Sequence, residues 1–403
     1  MKRFAIVAEY NPFHSGHAHQ IAEIRRLYGR SGIIVLLSGY FCQRGEPALL
    51  SPYVRTEQAL LNGADLVLRL PTITTLSSAE AYARGAVHAI KELQIPNQAF
   101  GYEQHESSEL VRIAEFLRDA DNNDDYLKIL KENLHLGYAH ARSLALSHFL
   151  PMAEDILNHP NQILAVEYLK SNLQLKGKQI KPIFIKRQGS AYLTETIDQT
   201  GYASATALRK LSDQPISSDL LYKLKQNMPV SSAALLLQEM HTKHTVKLND
   251  FADEFLTLLS RDTQPRTRYL TDELYRRLYN NFTKQDQFSL NDLIAQSKSR
   301  QYPESRLQRT LCNLLLNIGE DDDPTPQYLQ VLGFNRDGRY LLRKLQELSD
   351  CPLIANLSDL NDQTDPMVSR QYQQDRLACR LWANKAGYST AELLQKPIYK
   401  SNI

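Results

Sequence analysis

The sequence predicts an α/β fold, a doubly wound parallel sheet followed by a mostly helical C-terminal region. Three observations predict it. Near-continuous apolar runs such as FAIVA (4–8) and IIVLLSG (33–39) read as strands buried on both faces. These runs alternate with segments of helical period, the order in which parallel strands and crossover helices are laid down. Beyond Pro215 the strand-like runs become sparse and long helical patterns replace them.

FAIVA is the first strand, and Asn11-Pro12-Phe13 breaks it. Ser15 or Gly16 then opens a helix, HAHQIAEIRRLY, with Ile21, Ile24 and Leu27 at helical spacing. IIVLLSG is the second strand, VRTEQALLNG the next helix and ADLVLRLP a third, short strand. SSAEAYARGAVHAIKEL reads as a helix with Ser77 or Ser78 as N-cap and Glu80 in its first turn. NQAFGYE is a fourth strand. Residues 106–160 are helix-rich, with DADNNDDY as a loop, and KPIFIKR (181–187) is a late strand that closes the α/β region near residue 215. LLYKLKQNM, SAALLLQEM and DELYRRLYNNF are helical, and YLQVLGF and CPLIANL are isolated strand candidates. The expected organisation is an α/β domain over 1–215 and a mostly helical region over 216–403, with a small subdomain from about 325, after EDDDPTP (320–326).

Composition narrows the class. Of 403 residues, 42% are hydrophobic and 23% charged, an ordinary globular balance. The net charge of +2 announces no polyanion partner, so any basic surface must be local. Cys42, Cys312, Cys351 and Cys379 are far apart, which excludes a disulfide framework or zinc knuckle and predicts reduced thiols. Glu9, Asn11 and His14 interrupt the first apolar run before a signal-peptide core forms, and no stretch approaches the roughly 18 apolar residues of a spanning helix. The expected location is cytoplasmic, away from membranes.

The chemistry concentrates in YNPFHSGH (10–17), where the first strand turns into the first helix. Open parallel sheets bind ligands at such places. Unpaired amides at the helix tip attract phosphate, Gly16 permits close backbone approach, and His14 and His17 place imidazoles beside the anion. Adenylyl transfer needs positioning and stabilisation of charge at the α-phosphate, and requires no covalent nucleophile. A zinc site at His14, His17 and His19 lacks a nearby carboxylate or thiol, so no protein-held metal is expected; Mg2+ arriving with ATP fits better. Cys42 has no evident base beside it and reads as a packing residue. Asp65 reads as structural, and Gln43-Arg44-Gly45 as either a solvated loop or part of the crevice.

His14-Ser15-Gly16-His17 matches the motif of the HxGH nucleotidyltransferase superfamily, and SATALR (204–209) resembles its second signature, I-S-S-T-x-I-R. By that resemblance Ser204 and Thr206 offer hydroxyls to phosphate and Arg209 neutralises the departing pyrophosphate; Ala205 stands where the pattern has a second Ser. EYNPFHSGH, FCQRGEPALL, GADLVLRLP, SSAEAYARGAV, PNQILAVEYLK, KRQGSAY and YLQVLGFNRDGR together resemble the bacterial tRNA(Met) cytidine acetate ligase family along nearly the whole chain. The resemblance implies an HxGH nucleotidyltransferase-like Rossmann domain and a ligase that converts ATP and acetate to acetyl-adenylate, then forms N4-acetylcytidine at the wobble position of elongator tRNA(Met). It implies catalytic roles for His14, His17 and Arg209. It places ATP on Val7, Ala8, Glu9, Tyr10, Asn11, Pro12, Phe13, His14, Ser15, Gly16, His17, Ala18, His19 and Gln20, and on Gly101, Asn161, Arg187 and Gln188. Tyr102, Gln162 and Arg69 depart from the family's Ser, Asn and acidic residue. Two other functions share parts of this pattern: a small-molecule adenylyltransferase of the pantetheine-phosphate or nicotinate-nucleotide type, and a non-catalytic RNA-binding protein.

The resemblance makes 1–215 the ATP-binding catalytic domain and 216–403 the RNA-binding region, and two stretches are candidate RNA surfaces. Residues 170–187 carry six Lys or Arg and no acid, including Lys176 and Lys178; residues 261–310 carry ten Lys or Arg against six Asp or Glu. In the second, Arg266, Arg268, Arg276 and Arg277 lie among Tyr269, Tyr275 and Tyr279, a mixture suited to phosphate contact and base stacking, though tyrosines at helical spacing also fit a core.

Overall fold

The computed structural model describes residues 1–103, 106–187, 204–261, 265–389 and 396–401. The strands are β1 (Lys2–Ala8), β2 (Ser31–Leu37), β3 (Phe41–Cys42), β4 (Glu46–Pro47), β5 (Leu66–Arg69), β6 (Asn97–Tyr102), β7 (Lys181–Lys186), β8 (Leu329–Asn335), β9 (Leu353–Ile354) and β10 (Ile398–Lys400). The main sheet runs β10-β8-β5-β2-β1-β6-β7, with β9 beside β8; β3 and β4 form a separate hairpin. β1 pairs in parallel with β2 on one side and β6 on the other, so the strand order reverses there and a crevice opens above the ends of β1 and β6. Every residue of β2 is buried, as its unbroken apolar run requires.

One strand pair departs from the all-parallel expectation. β8 lies antiparallel to β5, with Leu66 opposite Phe334 and a register shift between Val67 and Leu68, making the sheet mixed. The YLQVLGF strand, set in sequence beyond the helical region, thus returns to the N-terminal sheet. Asn335 fixes the return: its Oδ1 accepts from Gly338 N at 2.8 Å, and its Nδ2 donates to Asp65 at 3.0 Å. Only glycine fits at 338, because a Cβ there would sit 1.7 Å from the Asp65 carbonyl oxygen. Asp65 also accepts from Ile33 N and from Arg25, the structural role expected of it.

A second tie is a fully buried ion pair. Arg69, ending β5, donates to Asp375 at 2.9 Å on the helix Pro366–Lys385. Asp375 also accepts from Thr72 N at 2.7 Å and the Tyr328 hydroxyl at 2.5 Å, the partners a buried carboxylate needs. Arg69 therefore belongs to packing between N- and C-terminal chain rather than to the crevice. The four cysteines are buried, and none is joined in a disulfide. Burial pushes the Cys42 thiol well up, as suits a packing residue and not a nucleophile.

Candidate active site

The loop after β1 is held by contacts that its own sequence only partly announces. Tyr10 takes a positive φ of 48°, a strained value for a bulky residue, and is locked by an edge-on contact with Phe13 at 4.7 Å. Asn11 accepts from Leu49 N at 2.8 Å. Glu9 accepts from Gln43 N at 2.7 Å, which ties the QRG segment to the loop, though none of Gln43, Arg44 and Gly45 lines the crevice. Beneath all of this lies Arg55, fully buried in the helix Pro52–Leu61. Its guanidinium donates to the carbonyls of Glu9 (2.6 Å), Ser38 (3.0 Å), Leu50 (3.0 Å) and Gly39. One rigid fork thereby fixes the ends of β1 and β2 and the chain entering the helix.

Helix α1 (Ser15–Tyr28) begins at the crevice, and its N-cap is His14 itself. His14 Nδ1 accepts from Gly16 N at 3.1 Å, and His17 Nδ1 accepts from His14 N at 3.2 Å. Two histidines thus close the reciprocal cap that Ser and Glu usually make. The rings stack with centroids 3.7 Å apart. Burial, followed by the positive Arg187, holds His14 down at about 3; burial, then His14, then Arg187 hold His17 well below its ordinary value. Both rings are neutral near pH 7. A neutral imidazole accepting at Nδ1 carries its proton on Nε2, so the pair presents two Nε2–H donors.

The two histidines line a cleft above the ends of β1 and β6. Its cations are Arg187 and Arg209. Arg209 lies on the helix Ala205–Leu211 and donates to the Asn11 carbonyl at 2.9 Å and to Thr206 Oγ1 at 3.3 Å, while pairing with Glu46 at 2.9 Å. Arg187 follows β7, and its side chain lies over Gly101, where a Cβ would sit 3.1 Å from Arg187 Cγ. Glycine at 101 gives the guanidinium room. Asn161 lines the opposite wall and donates to Glu103 at 2.7 Å. Tyr82, Phe100, Leu164 and Tyr168 add apolar and aromatic surface suited to a purine.

Of the residues singled out in sequence, Val7, Ala8, Glu9, Tyr10, Asn11, His14, His17, Gln20, Gly101, Asn161, Arg187 and Arg209 line this cleft. Pro12, Phe13, Ser15, Gly16, Ala18 and His19 do not; Phe13 is core, and Gly16 contributes its amide to the cap. Ser204 caps its helix by accepting from Ala207 N at 3.1 Å, and Thr206 is taken by Arg209; Ala205 between them faces the cleft. Gln188 lies outside the described residues. Gln162 is buried, with neither polar atom of its side chain hydrogen-bonded, and does not line the cleft. Arg55, Tyr82 and Tyr168 were missed, because polar or aromatic residues at helical spacing carry no signal of what they face; Glu46 was missed because it sits in a two-residue strand, too short to show a period.

The RNA candidates divide. Lys176, Lys178, Arg266 and Arg276 are exposed. Arg268 is corrected from a surface residue to a packing one: it is 7% exposed and donates to Ser77 Oγ at 3.1 Å. Arg277 is half-buried and donates to the carbonyls of Ser297 and Lys298, so it too is engaged within the fold. Tyr269 accepts from Ser78 N, and Tyr275 stacks on Tyr279 at 5.9 Å. Among the described residues no helix is long and apolar enough to cross a membrane.

Comparison with known proteins agrees with this geometry. The family model described as HIGH Nucleotidyl Transferase matches residues 1–392. A tRNA(Met) cytidine acetate ligase of Acetivibrio thermocellus is 32% identical, over 95% of this chain and 94% of that protein. One from Thermoanaerobacter pseudethanolicus is 35% identical, over 93% and 92%. Crystal structures of Thermotoga maritima TmcAL, 26% identical and fully covered by this chain as it is by them, superpose with TM-scores of 0.89 for the apo form and 0.87 for the form bound with alpha-thio ATP. With the stacked imidazole pair at the head of α1 and the match running almost end to end, this chain belongs to the HIGH nucleotidyl transferase family, among the tRNA(Met) cytidine acetate ligases.

Proposed function

We propose that the protein uses ATP to activate acetate as acetyl-adenylate and transfers the acetyl group to the exocyclic amine of the wobble cytidine of elongator tRNA(Met). The observation that carries this reading is the pair of neutral imidazoles facing a cleft that also holds Arg187 and Arg209. ATP enters with its adenine against the apolar wall and its phosphates at the tip of α1. An acetate oxygen attacks the α-phosphorus, the bond to the bridging oxygen breaks, and pyrophosphate leaves beside the two arginines. The two Nε2–H donors stabilise the charge that builds on the α-phosphate oxygens without adding positive charge that would over-bind the substrate. Because Arg55 and the histidine cap hold these groups in place beforehand, little reorganisation accompanies the reaction.

Mg2+ belongs to this reading as a companion of the triphosphate. The described residues contain no cluster of three metal-ligating groups, and the nearby carboxylates are engaged, Glu9 with Gln43 N and Glu46 with Arg209. The donor set does not build a protein cage for the ion, and no step is assigned to it. RNA is proposed to meet the exposed Lys176, Lys178, Arg266 and Arg276, with the cytidine extruded from its loop so that its amine reaches the acyl carbonyl. The test incubates the protein with ATP, labelled acetate and transcribed elongator tRNA(Met), then digests the RNA to nucleosides. Label in N4-acetylcytidine is expected. Pyrophosphate release with pantetheine phosphate or nicotinate mononucleotide, and none with acetate, would favour a small-molecule adenylyltransferase instead.

A further inference from the structure

A second cleft abuts the first, and Arg209 stands between them, lining both. Glu46, Thr206, Lys210 and Lys247 supply polar groups to its lining, and Pro47, Leu49, Val246 and Leu248 supply an apolar floor. No step of adenylate formation uses this space. We propose that it receives the acceptor cytosine, and that Glu46 both recognises the exocyclic amine and takes its proton; this rests on the acetyl-transfer reading above.

Three observations converge. First, position: Arg209 reaches the Asn11 carbonyl on the ATP side and Glu46 on the other, so a base in the second cleft lies one side chain away from an adenylate held at His14 and His17. Second, chemistry: a carboxylate is the side chain that accepts from the cytosine N4 amine, the apolar floor suits a base face, and Lys210 and Lys247 suit the flanking phosphates. Asp213, paired with Lys247, keeps that lysine in place without closing the cleft. Third, state: Glu46 is half-buried, and burial raises its carboxyl while Arg209 opposes that shift, the setting of a proton acceptor rather than of an inert surface acid. The ion pair with Arg209 and the contact from Asn11 Nδ2 both fall on Oε1, and the amine proton is assigned to Oε2.

The step balances without another reagent. The N4 lone pair attacks the acetyl carbonyl carbon and a C–N bond forms. The bond from that carbon to the phosphate oxygen breaks, and AMP departs with its electron pair. The N4 proton passes to Glu46 and on to solvent.

The experiment separates the two half-reactions in the full-length protein. Acetate-dependent exchange of pyrophosphate into ATP reads adenylate formation without RNA; single-turnover transfer from preformed acetyl-adenylate to tRNA reads the second half. Leu248→Trp, which narrows the second cleft at a half-buried position, is expected to keep exchange within about twofold and to slow transfer by on the order of tenfold or more. Glu46→Gln is expected to slow transfer by on the order of a hundredfold, the usual worth of a general base, and by much more than it slows exchange; Glu46→Asp restores part of the transfer rate. Should Leu248→Trp fail to fold, Lys247→Ala replaces it, with weaker tRNA binding and normal exchange expected. Transfer at the parent rate in both Leu248→Trp and Glu46→Gln overturns the assignment. Equal losses of exchange and transfer in Glu46→Gln overturn it as well, since they would reduce Glu46 to a support for Arg209. If the parent protein makes no acetyl-adenylate, it is the function itself that fails, not the cleft assignment alone.

Discussion

His14 serves the fold through one ring nitrogen and the reaction through the other, and a single substitution separates the two roles. Nδ1 accepts from Gly16 N at 3.1 Å and so caps α1; the ring also lines the cleft, and Nε2 carries its proton. Asparagine is among the best N-cap residues, and its Oδ1 lies about where Nδ1 does, so His14→Asn keeps the cap while removing the donor. His14→Ala loses both, and the lost cap alone costs about 0.5–2 kcal/mol of stability. The donor carries the larger effect: deleting one preorganised donor to a developing charge costs about 2.7–4 kcal/mol of transition-state stabilisation, on the order of a hundred- to a thousandfold in rate. His14→Asn should therefore melt within a few degrees of the parent yet lose acetate-dependent pyrophosphate release by that factor, mostly in kcat. Pyrophosphate release within threefold of the parent, with an unchanged melting point, would refute the role given to Nε2.

The remaining predictions concern charge and scaffold. His14 is held down at about 3 in the fold against roughly 6.5 unfolded, so the unfolded chain takes up the proton first as pH falls. Its contribution is intact above pH 6.5 and lost toward pH 3, with a slope of up to about 1.4 kcal/mol per pH unit; urea melts at pH 7 and pH 4.5 check it, and equal stabilities would contradict it. Adenylate formation should correspondingly show no histidine inflection near pH 6.5. Arg55→Leu leaves four buried carbonyls without their donor, at about 1–3 kcal/mol for each one that finds no substitute, and should lower the melting point by several degrees and raise the KM for ATP; an unchanged KM would contradict the loop-fixing role. Arg266→Glu with Arg276→Glu should weaken tRNA binding by on the order of tenfold, more at low salt, with exchange intact. Unchanged tRNA affinity would remove that face from the RNA surface.

Much of the site was legible because its chemistry is local. His14, Gly16 and His17 are adjacent in sequence, and the strand before them is marked by an unbroken apolar run, so strand, loop and helix followed from pattern alone. What pattern could not supply was any relation between distant segments. Arg55 looks like a solvated helix position until the carbonyls of Glu9 and Ser38 are seen around it. The YLQVLGF strand gives its period but not its partner, and pairing with β5 across more than 250 residues is decided by Asp65, Asn335 and Gly338 together. Arg268 failed as a surface residue for a similar reason: charge density in the sequence says nothing of Ser77 waiting beside it. Ser204 shows a milder form, where the motif named the residue and the structure spends its oxygen on a helix cap.

The most direct test of the whole account is a crystal structure of the protein with a non-hydrolysable ATP analogue, refined for the position of the α-phosphate. Its oxygens are expected within hydrogen-bond distance of Nε2 of His14 and His17, with Arg187 and Arg209 along the outer phosphates. Triphosphate bound elsewhere, with both imidazoles still turned away from any phosphate oxygen, would contradict it.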